Sequence, residues 1–230
     1  MINRTLTACK LLRVAKLLLA EDVLDVDRLV RGVTDWFGWA PSYRSIEVLD
    51  DKGWTEWYGK ESELLGETGG IMTPEGDIRV KQKSIGSALH ELVHGAMKAQ
   101  GGDPDTSERL NEGVTQAVTM AIAKSLGIKV PDTYKDERQY VMKVLLPAVG
   151  MKLGPFSVQY AKAGSAVKWL VDTIWKRGGR FMLADPDWGT PDVARHKKSL
   201  TDYFKRGMTF DVQPNAGDMV KYLVFEKGVR

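Results

Sequence analysis

An α+β fold is predicted for this chain: a small N-terminal sheet, then the helices that carry its most reactive motif, then a helical C-terminal part. Three observations predict it. Short segments rich in β-branched and aromatic residues fall between residues 45 and 80, and runs of helical periodicity dominate after residue 84. Strands first and helices afterwards is the order of an α+β domain rather than an alternating α/β one. With 230 residues, 43% of them apolar, the chain can fill one substantial core. Residues 21–230 are therefore expected to form a single domain.

Residues 1–20, MINRTLTACKLLRVAKLLLA, differ in character. They carry Arg4, Lys10, Arg13 and Lys16 with no acid before Glu21, and their leucines recur at helical spacing. Such a basic amphipathic leader or pro-segment suits a transit-type address, contact with a membrane surface or partner, or packing on the domain. Arg13 and Lys16 interrupt what a secretory signal would need as its apolar stretch.

Beyond it, Asp25 caps a short helix expected to end near Gly32, and residues 36–41 read as a loop. Ser45–Leu49 reads as a strand, residues 50–53 as a turn, and residues 54–58 as a second strand forming a hairpin with the first. Residues 69–80 read as strand, turn and strand, with Pro74 and Gly76 marking the turn. A helix is expected over residues 84–100, with Ser84 or Ser87 as cap and Gly101-Gly102 as its stop. Another runs over residues 107–126 and closes at Gly127. Helices over 135–149, 157–176 and 194–206 complete the chain, with turns at Gly150, Gly154, Gly178-Gly179 and Asp185-Pro186.

The reactive motif is His90-Glu91-Leu92-Val93-His94, which contains two of the chain's three histidines. A helix advances about 3.6 residues per turn, so residues four apart share a face. Two imidazoles so placed can converge on one metal, and Glu91 stands where it can take a proton from a water that the metal activates. A catalytic zinc site takes three protein ligands, so a third is needed. With Cys9 the only cysteine, thiolate sites are excluded and the third ligand is expected to be a carboxylate. The pattern HExxHxxGxxH is not matched, since Met97 and Gln100 occupy its later positions. Among the next acids, Asp103, Asp105, Glu108 and Glu112, the last is best placed, on a helix that a short loop can return across the first.

HELVH with Leu110-Asn111-Glu112-Gly113-Val114-Thr115 after it resembles the gluzincin metallopeptidases, the thermolysin-like and aminopeptidase-like enzymes. The resemblance covers residues 69–119 and implies a zincin-like fold. It implies a zinc ion held by His90, His94 and Glu112, Glu91 as general base, and a peptide or protein substrate. It also implies that the strand at residues 77–80 is the edge that pairs with an extended substrate. Such enzymes place a Tyr or His near the developing oxyanion. Tyr134, Tyr140, Tyr160 and His196 are the candidates. Tyr134 is preferred, because a residue at a helix start can project into a cleft. Asp105, Glu108 and Thr115 are near enough in sequence to support the ligand imidazoles.

A net charge of +3 without a basic-aromatic stripe gives no reason to expect nucleic acid. No apolar run approaches the roughly 20 residues of a membrane span. Scarce cysteine suits a reducing compartment, with the cytoplasm favoured. The competing reading is a non-catalytic zincin-like structural or binding component of a larger assembly, which the basic leader and the Lys/Arg-rich C-terminal third would suit. Deleting residues 1–20 is expected to leave the rest folded; a truncated protein whose circular dichroism shows no cooperative melt would place those leucines in the core instead.

Overall fold

The alternation in Asp77–Lys81 decides how the sheet is used: Ile78 and Val80 are buried, while the residues between them are half-exposed. In the computed structural model, which describes residues 25–58, 69–100, 104–184 and 193–206, this segment is the middle strand of three. The strands are β1 (Ser45–Leu49), β2 (Gly70–Met72) and β3 (Asp77–Lys81), in the order β1-β3-β2. β1 lies parallel to β3, with Ser45 opposite Asp77 and Leu49 opposite Lys81. β2 lies antiparallel to β3 across the Pro74–Gly76 turn, and Gly76 takes a φ of 88° there.

Helices supply the rest: α1 (Val26–Phe37), α2 (Asp51–Tyr58), α3 (Ile85–Lys98), α4 (Glu108–Leu126), α5 (Lys135–Val149), α6 (Leu153–Lys162), α7 (Ala166–Ala184) and α8 (Val193–Arg206). The fold is thus α+β, a small sheet with mostly helices. Leu29, Val33 and Phe37, four residues apart on α1, are buried with Leu89 and Leu92 of α3, Leu110 and Ile122 of α4, Phe156 of α6 and Leu170 of α7. Among the described residues, no single helix is long and apolar enough to cross a membrane.

Several expectations are corrected. Residues 54–58 are helical, not a strand. Asp50 starts α2 by accepting the Gly53 N–H on its side chain at 2.6 Å and the Trp54 N–H on its carbonyl at 2.8 Å. Trp54 and Tyr58, four apart, are both buried with rings stacked 5.2 Å apart, so the aromatic pattern has the helical period. Trp57 covers Arg79 at 4.6 Å, which places α2 on the sheet face that Ile78 and Val80 do not use. With no hairpin partner after it, β1 pairs with β3 instead, so the strand at 77–80, expected to be an edge, is central. The outer strand beside α3 is β2.

α1 does not end at Gly32. That glycine lets α4 approach, since a Cβ there would sit 2.9 Å from Leu126, and the helix closes at Gly38 in the left-handed conformation. Gly154 lies inside α6, and the backbone at Gly178-Gly179 stays helical within α7. The helix expected over 157–176 is broken at residues 163–165, where Asp105 accepts the Val167 N–H at 2.9 Å and starts α7. α5 runs as expected but widens into a π-helical turn at Val141–Leu145. Pro147 has no N–H for the Lys143 carbonyl and its ring crowds that group, which the wider turn accommodates. The leader, Gly101-Gly102 and Asp185-Pro186 lie outside the described residues.

The loop between α1 and β1 is tied along α3. Trp39 donates to the Ala96 carbonyl at 2.8 Å, and the Ser42 N–H to the Gly95 carbonyl at 3.0 Å. A Cβ at Gly95 would stand 2.6 Å from the Ser42 carbonyl oxygen. Gly95→Ala is therefore expected to destabilise by roughly 1–3 kcal/mol as an overpacked contact, seen as a lower denaturant midpoint with an unchanged slope; an unchanged midpoint would show that this loop yields freely.

Candidate metal centre

α3 has apolar residues on the faces that meet the sheet and α4, and its motif side chains emerge where α4 crosses it. His90 and His94 stand one turn apart, and Glu112, in the second turn of α4, reaches both. Glu112 Oε2 is 2.9 Å from His90 Nε2, Glu112 Oε1 is 3.2 Å from His94 Nε2, and the two Nε2 atoms are 3.1 Å apart. All three side chains are at most 17% exposed. Two ring nitrogens and a carboxylate this close form an electron-rich cluster that needs protons or a cation at its centre. The three could hold a metal ion.

The far side of each ring is also engaged. His90 Nδ1 is 3.1 Å from the Gln116 Oε1, and His94 Nδ1 is 3.4 Å from the Thr115 hydroxyl. That hydroxyl donates onward to the Met97 sulfur, so it is an acceptor toward His94. Both contacts favour Nδ1–H and turn Nε2 inward. Of the three residues expected to support the imidazoles, only Thr115 does so. Asp105 is committed to Ser165 and the start of α7, and Glu108 reaches the site only through its charge on Tyr134. Gln116 is a support that sequence reasoning misses; its spacing of four from Glu112 is the available signal, since it puts both on one face of α4.

Glu91, next to His90 in the motif, feels the charges of both His90 and Glu112. Its carboxylate accepts the Met72 N–H of β2. Gly69 and Thr73 bond to β3, so the Met72 N–H faces the outer side of β2, toward α3. Burial pushes the Glu91 carboxyl up to about 7; His90, the Met72 N–H and Lys98 oppose this, while Glu112 adds to it. For Glu112, burial works upward too, but the hydrogen bonds and charges of His90 and His94 win and hold it well below the usual carboxylate range.

Tyr134 occupies the N-cap position of α5 without capping it, and its ring stacks on His90 with centroids 5.6 Å apart and planes at 23°. Burial, then the charges of Glu112, Glu91 and Glu108, push its hydroxyl up to about 12, and it shares a hydrogen bond with Glu112. Gly113 makes this approach possible, since a Cβ there would lie 2.8 Å from the Glu137 backbone of α5. The other tyrosines are packed: Tyr140 bonds to Tyr203 at 3.1 Å, and Tyr160 to Thr106. The His196 side chain lies outside the described residues. Of the expected site residues, His90, His94 and Glu112 are thus in mutual contact, Tyr134 touches His90 and Glu112, and Glu91 stands beside them.

Compared with protein-family models, with curated proteins and with solved structures, the chain matches none.

The Glu91 shift has a consequence for stability. Its folded-state pKa of about 7 lies above the ordinary 4.5, so the folded protein holds the proton more tightly than the unfolded chain. In the metal-free protein this site then loses stability as pH rises from about 4.5 through about 7, and the loss levels off above. Glu91→Gln removes that dependence. Urea unfolding of both chelated proteins is expected to show them diverging by on the order of 2–3 kcal/mol between pH 5 and 8; parallel pH profiles would contradict the burial of this carboxylate.

Proposed function

We propose that this chain is a zinc-dependent peptidase of the gluzincin type, with a zincin-like fold, acting on peptide or protein substrates. The observation that carries this reading is the convergence of two ring nitrogens and the Glu112 carboxylate on one point. Tetrahedral zinc with ligands at about 2.0–2.1 Å separates its donors by roughly 3.3 Å. Here the two Nε2 atoms are 3.1 Å apart, and the two Glu112 oxygens lie 2.9 and 3.2 Å from one ring nitrogen each. Nitrogen, nitrogen and carboxylate oxygen is also a fitting donor set for catalytic zinc, which leaves one position for water. Bound there, zinc would lower the pKa of that water and polarise the scissile carbonyl.

The chain's own residues supply the remaining steps. Glu91 takes a proton from the attacking water as its oxygen bonds to the carbonyl carbon. As the C–N bond breaks, the same carboxyl returns the proton to the departing amine. A carboxyl held near neutral pKa can do both. Tyr134, neutral with its pKa pushed up to about 12, has a hydroxyl to donate to the oxyanion. β2, the outer strand next to α3, offers an edge along which an extended substrate can pair.

Three variants separate these roles. Glu91→Gln is expected to lower kcat by about 10²–10⁴-fold while zinc content, measured by elemental analysis, stays near one per chain. Glu112→Gln is expected to lose zinc, with activity partly restored by added metal. If Glu91→Gln cleaves a wild-type substrate at full rate, the mechanism is wrong. If the wild type retains zinc yet cleaves nothing across a broad peptide library, a non-catalytic zincin-like module is the better description.

Tyr134→Phe keeps the ring that stacks on His90 and removes only the hydroxyl. It is expected to reduce kcat by about 10²–10³-fold with KM little changed, the pattern of a group that acts in the transition state. An unaltered kcat would leave Tyr134 a packing residue.

A further inference from the structure

Gln116 is 2% exposed, so both ends of its amide must find partners inside the protein. One end is decided by chemistry. Its Nε2 lies 2.8 Å from the Pro131 carbonyl oxygen, which can only accept. The amide nitrogen must therefore face Pro131, and the amide oxygen must face His90 Nδ1 at 3.1 Å. An amide oxygen only accepts, so His90 Nδ1 carries the proton.

Pro131 belongs to the segment that leads from α4 to Tyr134. The same segment is pressed against the start of α3, where a Cβ on Gly86 would stand 3.2 Å from Pro131 and 3.1 Å from Val130. Asp132 then clamps Arg138 of α5 through two bonds of 2.8 and 2.6 Å. Tyr134 lies between these anchors, with its ring on His90. One side chain thus touches the ring expected to bind metal and the backbone that delivers the expected oxyanion donor.

We propose that Gln116 is a positioning residue that fixes the proton on His90 Nδ1 and the place of the Tyr134 segment together, so that the metal site and its neighbouring hydroxyl form as one unit. The role assigned to that unit rests on the peptidase reading; the proton position and the coupling do not. A carboxylate in this place would raise the basicity of the ligand ring, whereas the neutral amide orients it and adds a donor for Pro131.

The test uses the full chain labelled with ¹⁵N, metal-free and with one equivalent of zinc. In the wild type, imidazole spectra are expected to show His90 Nδ1 protonated in both states; a deprotonated Nδ1 in either overturns the proposal without any variant. Gln116→Met preserves length but offers neither bond in comparable strength. It is expected to show mixed protonation at His90 Nδ1, faster amide exchange at Thr133 and Tyr134, and about 10–100-fold weaker zinc binding. Gln116→Glu, which keeps an acceptor toward His90, is expected to restore the single Nδ1–H form. If Gln116→Met keeps Nδ1–H and wild-type zinc affinity, Gln116 is filler. If its His90 changes while Thr133 and Tyr134 exchange as before, the two halves are not coupled and the proposal fails. None of these readouts requires hydrolysis. A wild type that binds no zinc would sink the peptidase reading while the metal-free spectra still decide the role of Gln116.

Discussion

Two ring nitrogens and a carboxylate held at contacts of about 3 Å repel unless something positive sits among them, and much of this structure is arranged to hold them there. Nε2 of His90 and of His94 and the carboxylate of Glu112 are brought together by two helices that share one apolar core, to which they give Leu89, Val93, Val114 and Val118. Side chains at most 17% exposed cannot turn to water for relief. Removing one partner from such a buried group costs more than the pair contributes, because the others remain desolvated. The helix packing and the polar cluster therefore constrain each other: the apolar contact sets the spacing, and the cluster sets the register of α4 on α3.

How much of this the residues announce depends on whether a signal is local. Helix ends are legible where a capping residue acts on its own turn: the Ser107 side chain accepts the Leu110 N–H, and Gly127 takes a φ of 67° after α4. The motif side chains are legible for the same reason, because a spacing of four on a helix fixes a shared face. Trp54–Tyr58 misleads because aromatic residues at close spacing suit either period, and the cap from Asp50 decides it. The sheet order is not legible at all. Whether β1 pairs with its immediate successor in the chain or with a strand beyond a crossover is settled by tertiary packing, and α2 covering Arg79 is what closes off the hairpin.

Gln116 shows the same limit at the site itself. Buried glutamine in a helix carries no motif, and its spacing of four from Glu112 is all that distinguishes it from Gln100. Its importance comes from the Pro131 carbonyl, fifteen residues on, which dictates which way the amide faces. Asp105 and Glu108 look better as supports because they carry charge. Charge near a metal site is common at the sequence level, but a partner for Nδ1 must also lie in the plane of the ring, and only packing selects for that.

The segment from Glu112 to Gln116 concentrates these demands. Glu112, Thr115 and Gln116 fall on one face of α4, at spacings of three and four, and meet His90 and His94. Gly113 is rotated about 100° away and meets α5, where its missing side chain lets the Glu137 backbone come close. One turn of helix therefore sets the third donor, the orientation of both rings and the distance to the helix that begins at Tyr134. A displacement of α4 along its axis would move all four at once, so the site tolerates little slack there. This accounts for the depth at which α4 is buried, with Val114, Thr115, Val118 and Thr119 wholly inaccessible along its middle. α3 carries the two rings and Glu91, and α4 sets where the rings and their partners stand.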